Sequence, residues 1–383
     1  MDKQYVSVLS EKERAALRAR RKKRRKRRQR RRRQRLFRCL FPLAVVVVVC
    51  LFVALGKGSN EQPSNQQQTD QQQSSQQSTG ASSESTELVP LMEIARVEPP
   101  EDPDPVPETD ETVHLEDSLA STYAVLLDLK NEKVLAEKES RTSINPASMT
   151  KILTLLVAAE HLSESDLEKT FTMTAEITDY CYENDCSVVG LKPDETVSIR
   201  ELLYGTILPS GADASLGLAQ YISGSQEAFV ALMNEKLKEL GLSKTSHFTN
   251  CVGLYDEEHY STVYDIGIIL KAAMENALCR EVLNARTYET KPTAQHPEGQ
   301  LLSNWFLRRI EDKETGGVTV VGAKTGYVTQ AGSCAASGGQ DADGNLYICV
   351  TGNAASSWQA IYDHVELYQS YCGTSDEAGQ SAG

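Results

Sequence analysis

Ser148 and Lys151 stand three residues apart in the stretch Pro146-Ala147-Ser148-Met149-Thr150-Lys151. That spacing puts both side chains on one face of a helix. The run that follows, Ile152 to Ala159, has almost no polar face, and a helix apolar nearly all round belongs inside a domain. Pro146 suits the turn leading in, because its fixed φ and missing N–H fit a helix start. Burial disfavours an ammonium and pulls a lysine pKa down. To act as a base near neutrality, Lys151 needs a drop of roughly 3 units from about 10.4, on the order of 4 kcal/mol. A lysine so lowered can activate a neighbouring serine hydroxyl. Taken alone, Ser-x-x-Lys recurs by chance in many helices.

Two later stretches change that reading. Ser210 lies in Leu208-Pro209-Ser210-Gly211-Ala212-Asp213-Ala214, and Lys324 in Gly322-Ala323-Lys324-Thr325-Gly326-Tyr327. Singly, Ser210 reads as a turn or N-cap serine, Lys324 as a solvated strand-end lysine, and Tyr327 as a ring packed at a strand edge. Together and in this order, the three stretches resemble the triple signature of penicillin-binding proteins and serine β-lactamases.

The elements that must position these residues can be read from pattern. Tyr123–Leu129 and Lys133–Ala136 read as strands of a hairpin around Lys130-Asn131-Glu132. Phe171–Ile177 reads as a short extended stretch. Helices are expected over Ser198–Ile207, Ala214–Ile222, Glu227–Leu240 (closed by Gly241 as a C-cap) and Asp265–Ala277. Strands at Thr319–Thr325, Gly332–Gly338 and Leu346–Thr351 follow. Asp341-Ala342-Asp343-Gly344-Asn345 opens like a calcium loop, but Gly352 stands where a bidentate Glu is needed, so a hairpin turn is the better reading. A last helix would place Trp358, Ile361, Val365 and Tyr368 on one face against a sheet. The fold class expected is α/β (α+β): an antiparallel sheet formed from both ends of the domain, flanked by helices, with a mainly helical insert.

Outside that domain the 383-residue chain is polarised. Residues 1–38 carry 19 Lys/Arg against 3 Asp/Glu, so the rest of the chain holds −29 of a net −13. Cys39 to Gly56 follows at once without a charge; its 18 residues would make a helix of roughly 27 Å, close to a ~30 Å hydrocarbon core. Positive charge against one end places that end in the cytoplasm and suits anionic lipid headgroups. The block is therefore read as an anchor's cytoplasmic arm rather than a nucleic-acid site, and no nucleic-acid partner is expected. Ala54-Leu55-Gly56 has the small residues a signal peptidase accepts, yet the apolar run exceeds a usual signal core, which favours a retained single-pass anchor. Residues 57–117, rich in Gln, Ser, Glu and Pro, are too polar to fold and read as a tether of about 45 Å r.m.s.. The catalytic domain is expected over 118–372, outside the cytoplasm, with a flexible tail at 373–383.

Nine cysteines make no disulfide framework. Cys181 and Cys186 bracket a polar loop whose spacing permits a local bridge in an oxidising compartment; Cys334 and Cys349 fall in neighbouring strands without a register that would define a bond. Neither His-Glu-x-x-His nor Cys-x-x-Cys occurs, so the sequence signals no metal and no cofactor.

Over roughly residues 118–370 the chain resembles serine D-alanyl-D-alanine carboxypeptidases of the low-molecular-mass penicillin-binding type, with the β-lactamase/transpeptidase-like fold. The likeness extends to Gly190–Val197, Glu201–Gly205, Leu301–Asn304 and Lys324–Gly332. It implies Ser148 as nucleophile on the penultimate D-alanine carbonyl, Lys151 as its base, and Ser210 as proton carrier to the leaving amine. It implies Lys324 and Thr325 holding the terminal carboxylate, Gly326 keeping the strand edge open, and the N–H groups of Ser148 and Tyr327 as oxyanion hole, where one donor is typically worth ~2.7–4 kcal/mol. Peptidoglycan stem peptides would be the substrates, β-lactams inhibitors, and the N-terminal helix the membrane contact. One position departs from the family pattern: Ala212 stands where Asn is usual. Asp213 beside it reads as a helix N-terminal carboxylate.

Overall fold

A computed structural model describes residues 104–116 and 119–372. The basic arm, the apolar run, most of the Gln-rich tether and the tail at 373–383 lie outside the described residues. Among the described residues, no helix is long and apolar enough to cross a membrane.

Both ends of the domain contribute to one six-stranded sheet. Its strands are β1 (Val113–His114), β2 (Tyr123–Asp128), β3 (Lys133–Lys138), β8 (Thr319–Val328), β9 (Gly332–Gln340) and β10 (Leu346–Ala354), in the order β1-β3-β2-β10-β9-β8. All pairings are antiparallel except β1 with β3. Side chains alternate across a strand, and here both faces are covered. Val125, Leu127, Ile348 and Val350 enter one core, whereas Ala124, Leu126, Ala335 and Cys349 enter the other.

The second core is closed by α10 (Ser357–Tyr371), which buries Ile361, His364, Leu367 and Tyr368. Trp358 departs from the expected buried face: it is 44% exposed and packs edge-on against Trp305. On the other side lie α7 (Val263–Glu275) and α8 (Ala277–Asn284), and beyond them the helical insert. The insert holds α2 (Glu164–Leu167), α3 (Ala175–Glu183), α4 (Ile199–Ile207), α5 (Ala212–Ser223) and α6 (Gln226–Glu239), with the small ladder of β4 (Thr170–Thr172) and β5 (Thr196–Ser198). A second ladder pairs β6 (Thr287–Glu289) with β7 (Leu301–Ser303), and α9 (Leu307–Ile310) follows. Helix α1 (Thr150–Glu160) runs through the middle, buried from Thr150 to Ala159. Its nearly featureless apolar surface is the sequence signal for that place.

Several boundaries differ from expectation. Residues 104–116 belong to the fold rather than to the tether: Val106 is fully buried, the Tyr264 hydroxyl donates to its carbonyl (2.9 Å), and β1 pairs with β3. A few backbone pairings and one buried valine suffice to order a segment whose composition reads as linker. Of Phe171–Ile177 only the start is extended; Thr174 caps α3, its hydroxyl accepting from the Ile177 N–H. Cys181 therefore sits on a helix, buried, not in a polar loop, and both it and Cys186 are free thiols. Cys334 and Cys349 serve opposite cores, because Cys349 stands across from Ser337. The segment Asp341–Asn345 is the β9–β10 turn, held by the Asp341 carboxylate accepting from the Asp343 and Asn345 N–H groups.

Candidate active site

Ser148 lies in a single 3₁₀ turn, Ala147–Met149, just ahead of α1 rather than within it. Lys151, in the first turn of α1 and three residues on, still meets the serine, with Nζ 3.2 Å from Ser148 Oγ. Ala147 holds φ +49°, a left-handed conformation that costs a residue with a Cβ and that concentrates at functional sites. Two hydrogen bonds fix it. Asn145 Oδ1 accepts from the Ala147 N–H (3.0 Å), and Thr150 Oγ1 donates to the Ala147 carbonyl (2.7 Å).

Lys151 is 2% exposed. Burial pulls its pKa down to about 8, against the opposing influence of Cys186, Cys251, Cys181 and Asp213. The shift corresponds to roughly 3 kcal/mol, close to the drop that base catalysis needs. Its second partner is the Val252 carbonyl, 2.5 Å from Nζ.

Ser210 occupies the turn between α4 and α5 with φ +60°. Gly211, not Ser210, is the N-cap of α5. The serine hydroxyl is turned instead to Lys324, whose Nζ donates to Ser210 Oγ (2.9 Å) and to the Thr325 carbonyl (2.8 Å). Lys324 is 2% exposed; burial, reinforced by the charge on Lys151, holds its pKa well below the ordinary lysine value.

Lys324, Thr325, Gly326 and Tyr327 lie on β8, the last strand of the sheet, so one row of its backbone groups is unpaired by β9. A Cβ on Gly326 would come within 3.0 Å of the Ser148 nitrogen and 3.1 Å of the Pro146 carbonyl oxygen. Glycine thus lets this edge lie against the turn that carries the nucleophile. The Tyr327 ring does not pack at the strand edge; it is 67% exposed.

Ala212 is buried, and no side-chain amide stands in its place. Asp213 does more than sit at a helix N-terminus. Its buried carboxylate accepts from the N–H groups of Val189 (2.9 Å), Gly190 (2.9 Å), Leu191 (3.1 Å) and Ala214 (3.0 Å). It ties the start of α5 to the Gly190–Leu191 stretch, while burial raises its pKa. The Asn250–Leu254 segment, which supplies the Val252 carbonyl, has no counterpart among the residues expected from sequence. Its signal was an Asn three residues before a Gly, an Asx-turn pattern too common to single out. Among the described residues, no cluster of His, Cys, Asp and Glu could hold a metal ion.

This fold, with two hydrogen-bonded serine–lysine pairs, one of its lysines on the edge strand β8, has known relatives. A family profile described as D-alanyl-D-alanine carboxypeptidase matches residues 109–355. The chain belongs to that family. It is 35% identical over 223 residues to D-alanyl-D-alanine carboxypeptidase DacF of Bacillus subtilis, covering 55% of this chain and 52% of that protein. With D-alanyl-D-alanine carboxypeptidase DacB2 of Mycobacterium tuberculosis it shares 34% identity over 227 residues, 57% of this chain and 70% of the relative. The crystal structure of the Streptomyces K15 DD-transpeptidase superposes with a TM-score of 0.59 at 25% identity, covering 67% of this chain and 98% of that one. The chain spans about half the length of the Bacillus relative and of DacA from Escherichia coli.

Proposed function

We propose that the protein is a serine D-alanyl-D-alanine carboxypeptidase that removes the terminal D-alanine from peptidoglycan stem peptides through an acyl-enzyme. The observation that carries this reading is the pair of bonds Ser148–Lys151 and Ser210–Lys324, near enough for the charge on Lys151 to act on Lys324, with Gly326 of the edge strand β8 against the Ser148 nitrogen. Neutral Lys151 takes the Ser148 proton as Oγ attacks the penultimate D-alanine carbonyl. Ser210 passes a proton to the departing amine, and water then hydrolyses the ester. An extended peptide can add to the free edge of β8 through backbone hydrogen bonds. Its terminal carboxylate meets Thr325 and Lys324, and an arriving anion favours the ammonium that burial had disfavoured. The N–H groups of Ser148 and Tyr327 serve as the oxyanion hole.

The N-terminal apolar run would anchor the chain as a single-pass membrane protein with this domain outside the cytoplasm, a reading supported by the basic block against Cys39 to Gly56. Ala212 favours a second reading, a wall-binding protein that keeps the fold and a reactive serine without turnover. Release of D-alanine from a stem pentapeptide, alongside labelling by a fluorescent penicillin, separates the two. Release that is lost in Ser148→Ala supports the carboxypeptidase. Labelling at Ser148 without release supports the binder, and rapid hydrolysis of the penicilloyl adduct supports a β-lactamase.

A further inference from the structure

We propose that Asn250 is a positioning residue for acylation: the turn it builds holds the Val252 carbonyl against Lys151, so that the amine's lone pair faces Ser148. The inference rests on the serine–lysine reading above.

Asn250 is nearly buried, at 7% exposure. Its Oδ1 accepts from three successive N–H groups, those of Val252 (3.2 Å), Gly253 (2.8 Å) and Leu254 (3.0 Å), while Nδ2 donates to the Leu254 carbonyl (3.0 Å). One side chain thereby organises the whole turn. The turn is wedged behind the nucleophile: Gly253 has φ +77°, and a Cβ there would lie 1.9 Å from the Ala147 oxygen and 2.9 Å from the Ser148 nitrogen.

The product of this arrangement is the Val252 carbonyl, 2.5 Å from Lys151 Nζ. A neutral primary amine has two N–H bonds and one lone pair. With one N–H committed to Val252, rotation about the last C–N bond is restricted and the lone pair can be held towards Ser148 Oγ, 3.2 Å away. Without that acceptor the same amine can present an N–H to the serine, which is unproductive for proton abstraction.

His259 anchors the turn from its other side. The Thr249 N–H donates to His259 Nδ1 (3.1 Å), so in the neutral ring the proton is on Nε2. Nε2 then donates to Thr150 Oγ1 (2.8 Å), leaving the Thr150 hydroxyl to donate to the Ala147 carbonyl. Burial brings the His259 pKa down to about 4, so this strut adds no charge beside Lys151 at neutral pH. The asparagine turn and the nucleophile turn are thus linked through a neutral, fully hydrogen-bonded bridge.

The test is time-resolved labelling of the full-length chain by a fluorescent penicillin at about pH 9.5, where Lys151 is neutral and a new carboxylate nearby matters least. The concentration dependence separates encounter from the acylation rate constant, and the labelled fraction counts folded sites. Asn250→Ala is expected to lower the acylation constant on the order of 10²-fold without changing encounter. Asn250→Asp, which keeps the acceptor oxygens, should restore most of the rate. Wild-type rates per labelled site in Asn250→Ala, with only the labelled fraction reduced, would mean a purely structural role and overturn the proposal. If Asn250→Ala does not fold, Asn250→Asp is compared with Asn250→Ser, whose shorter hydroxyl cannot span the turn; equal rates overturn the proposal and a slower serine variant supports it. No label on the wild-type chain, or label that survives Ser148→Ala, defeats the functional reading and this one with it, an outcome distinct from equal rates.

Discussion

The charge state of Lys151 should be readable directly in the pH dependence of acylation. With a pKa of about 8 set by burial, about a tenth of the lysine is neutral at pH 7, half at pH 8 and nine tenths at pH 9. If the neutral amine is the base, the acylation constant should rise roughly fivefold from pH 7 to 8, then less than twofold more by pH 9. A lysine at its ordinary pKa would instead give about a tenfold rise for each unit across that range. The assay is rapid-mixing labelling with a fluorescent penicillin at saturating concentration, and Lys151→Met should lower the plateau by roughly 10²–10⁴-fold. A linked consequence concerns stability. The folded pKa lies below the unfolded one, so between about pH 8 and 10.5 the unfolded chain binds more protons and this lysine makes the fold more stable as pH rises. The stability difference between wild type and Lys151→Met, from urea unfolding, should therefore grow in favour of wild type by up to roughly 3 kcal/mol across that window. A flat acylation rate between pH 7 and 9, or a tenfold rise per unit continuing to pH 10, would refute the assignment of Lys151 as a buried, lowered base.

Lys324→Ala should slow acylation by peptides with a free terminal carboxylate roughly 10–100-fold more than by their C-terminally amidated analogues, the worth of a charged hydrogen bond. Equal losses would assign Lys324 to the proton path through Ser210 instead. Gly253→Ala should destabilise the fold by more than about 1 kcal/mol, because its positive φ and the close Ala147 oxygen leave no room for a methyl group. A urea midpoint and penicillin labelling both at wild-type levels would show that the turn can move away from Ser148.

Most of the architecture was legible because it rests on local pattern. The nearly all-apolar run after Lys151, the left-handed Gly241 that follows α6 and the apolar run in Tyr123–Asp128 are each read from residues within or beside one element. Misreadings fell where long-range pairing outweighed composition. The tether-like residues 104–116 are ordered by β3 and Tyr264, far away in sequence. Thr174 converted an extended reading into a helix start by one capping bond. Trp358 has a helical spacing that fits a buried face, yet it is exposed and packs edge-on against Trp305.

The sequence by itself determined which residues could do chemistry. Ser148 with Lys151, Ser210, and Lys324-Thr325-Gly326 are short patterns whose order carries the family likeness, and local spacing was enough to find them. Only the tertiary structure decided how they act on one another. The Ser210–Lys324 bond joins residues 114 apart, and the Lys151–Val252 bond joins residues 101 apart. A backbone carbonyl leaves no residue-type signature, so Val252 could not be chosen from the chain. The lowered Lys151 pKa likewise depends on how completely the surrounding elements exclude water. The role of Gly326 was visible only in part: its missing side chain matters because β8 and the Ala147–Met149 turn come together, and no local pattern encodes that approach.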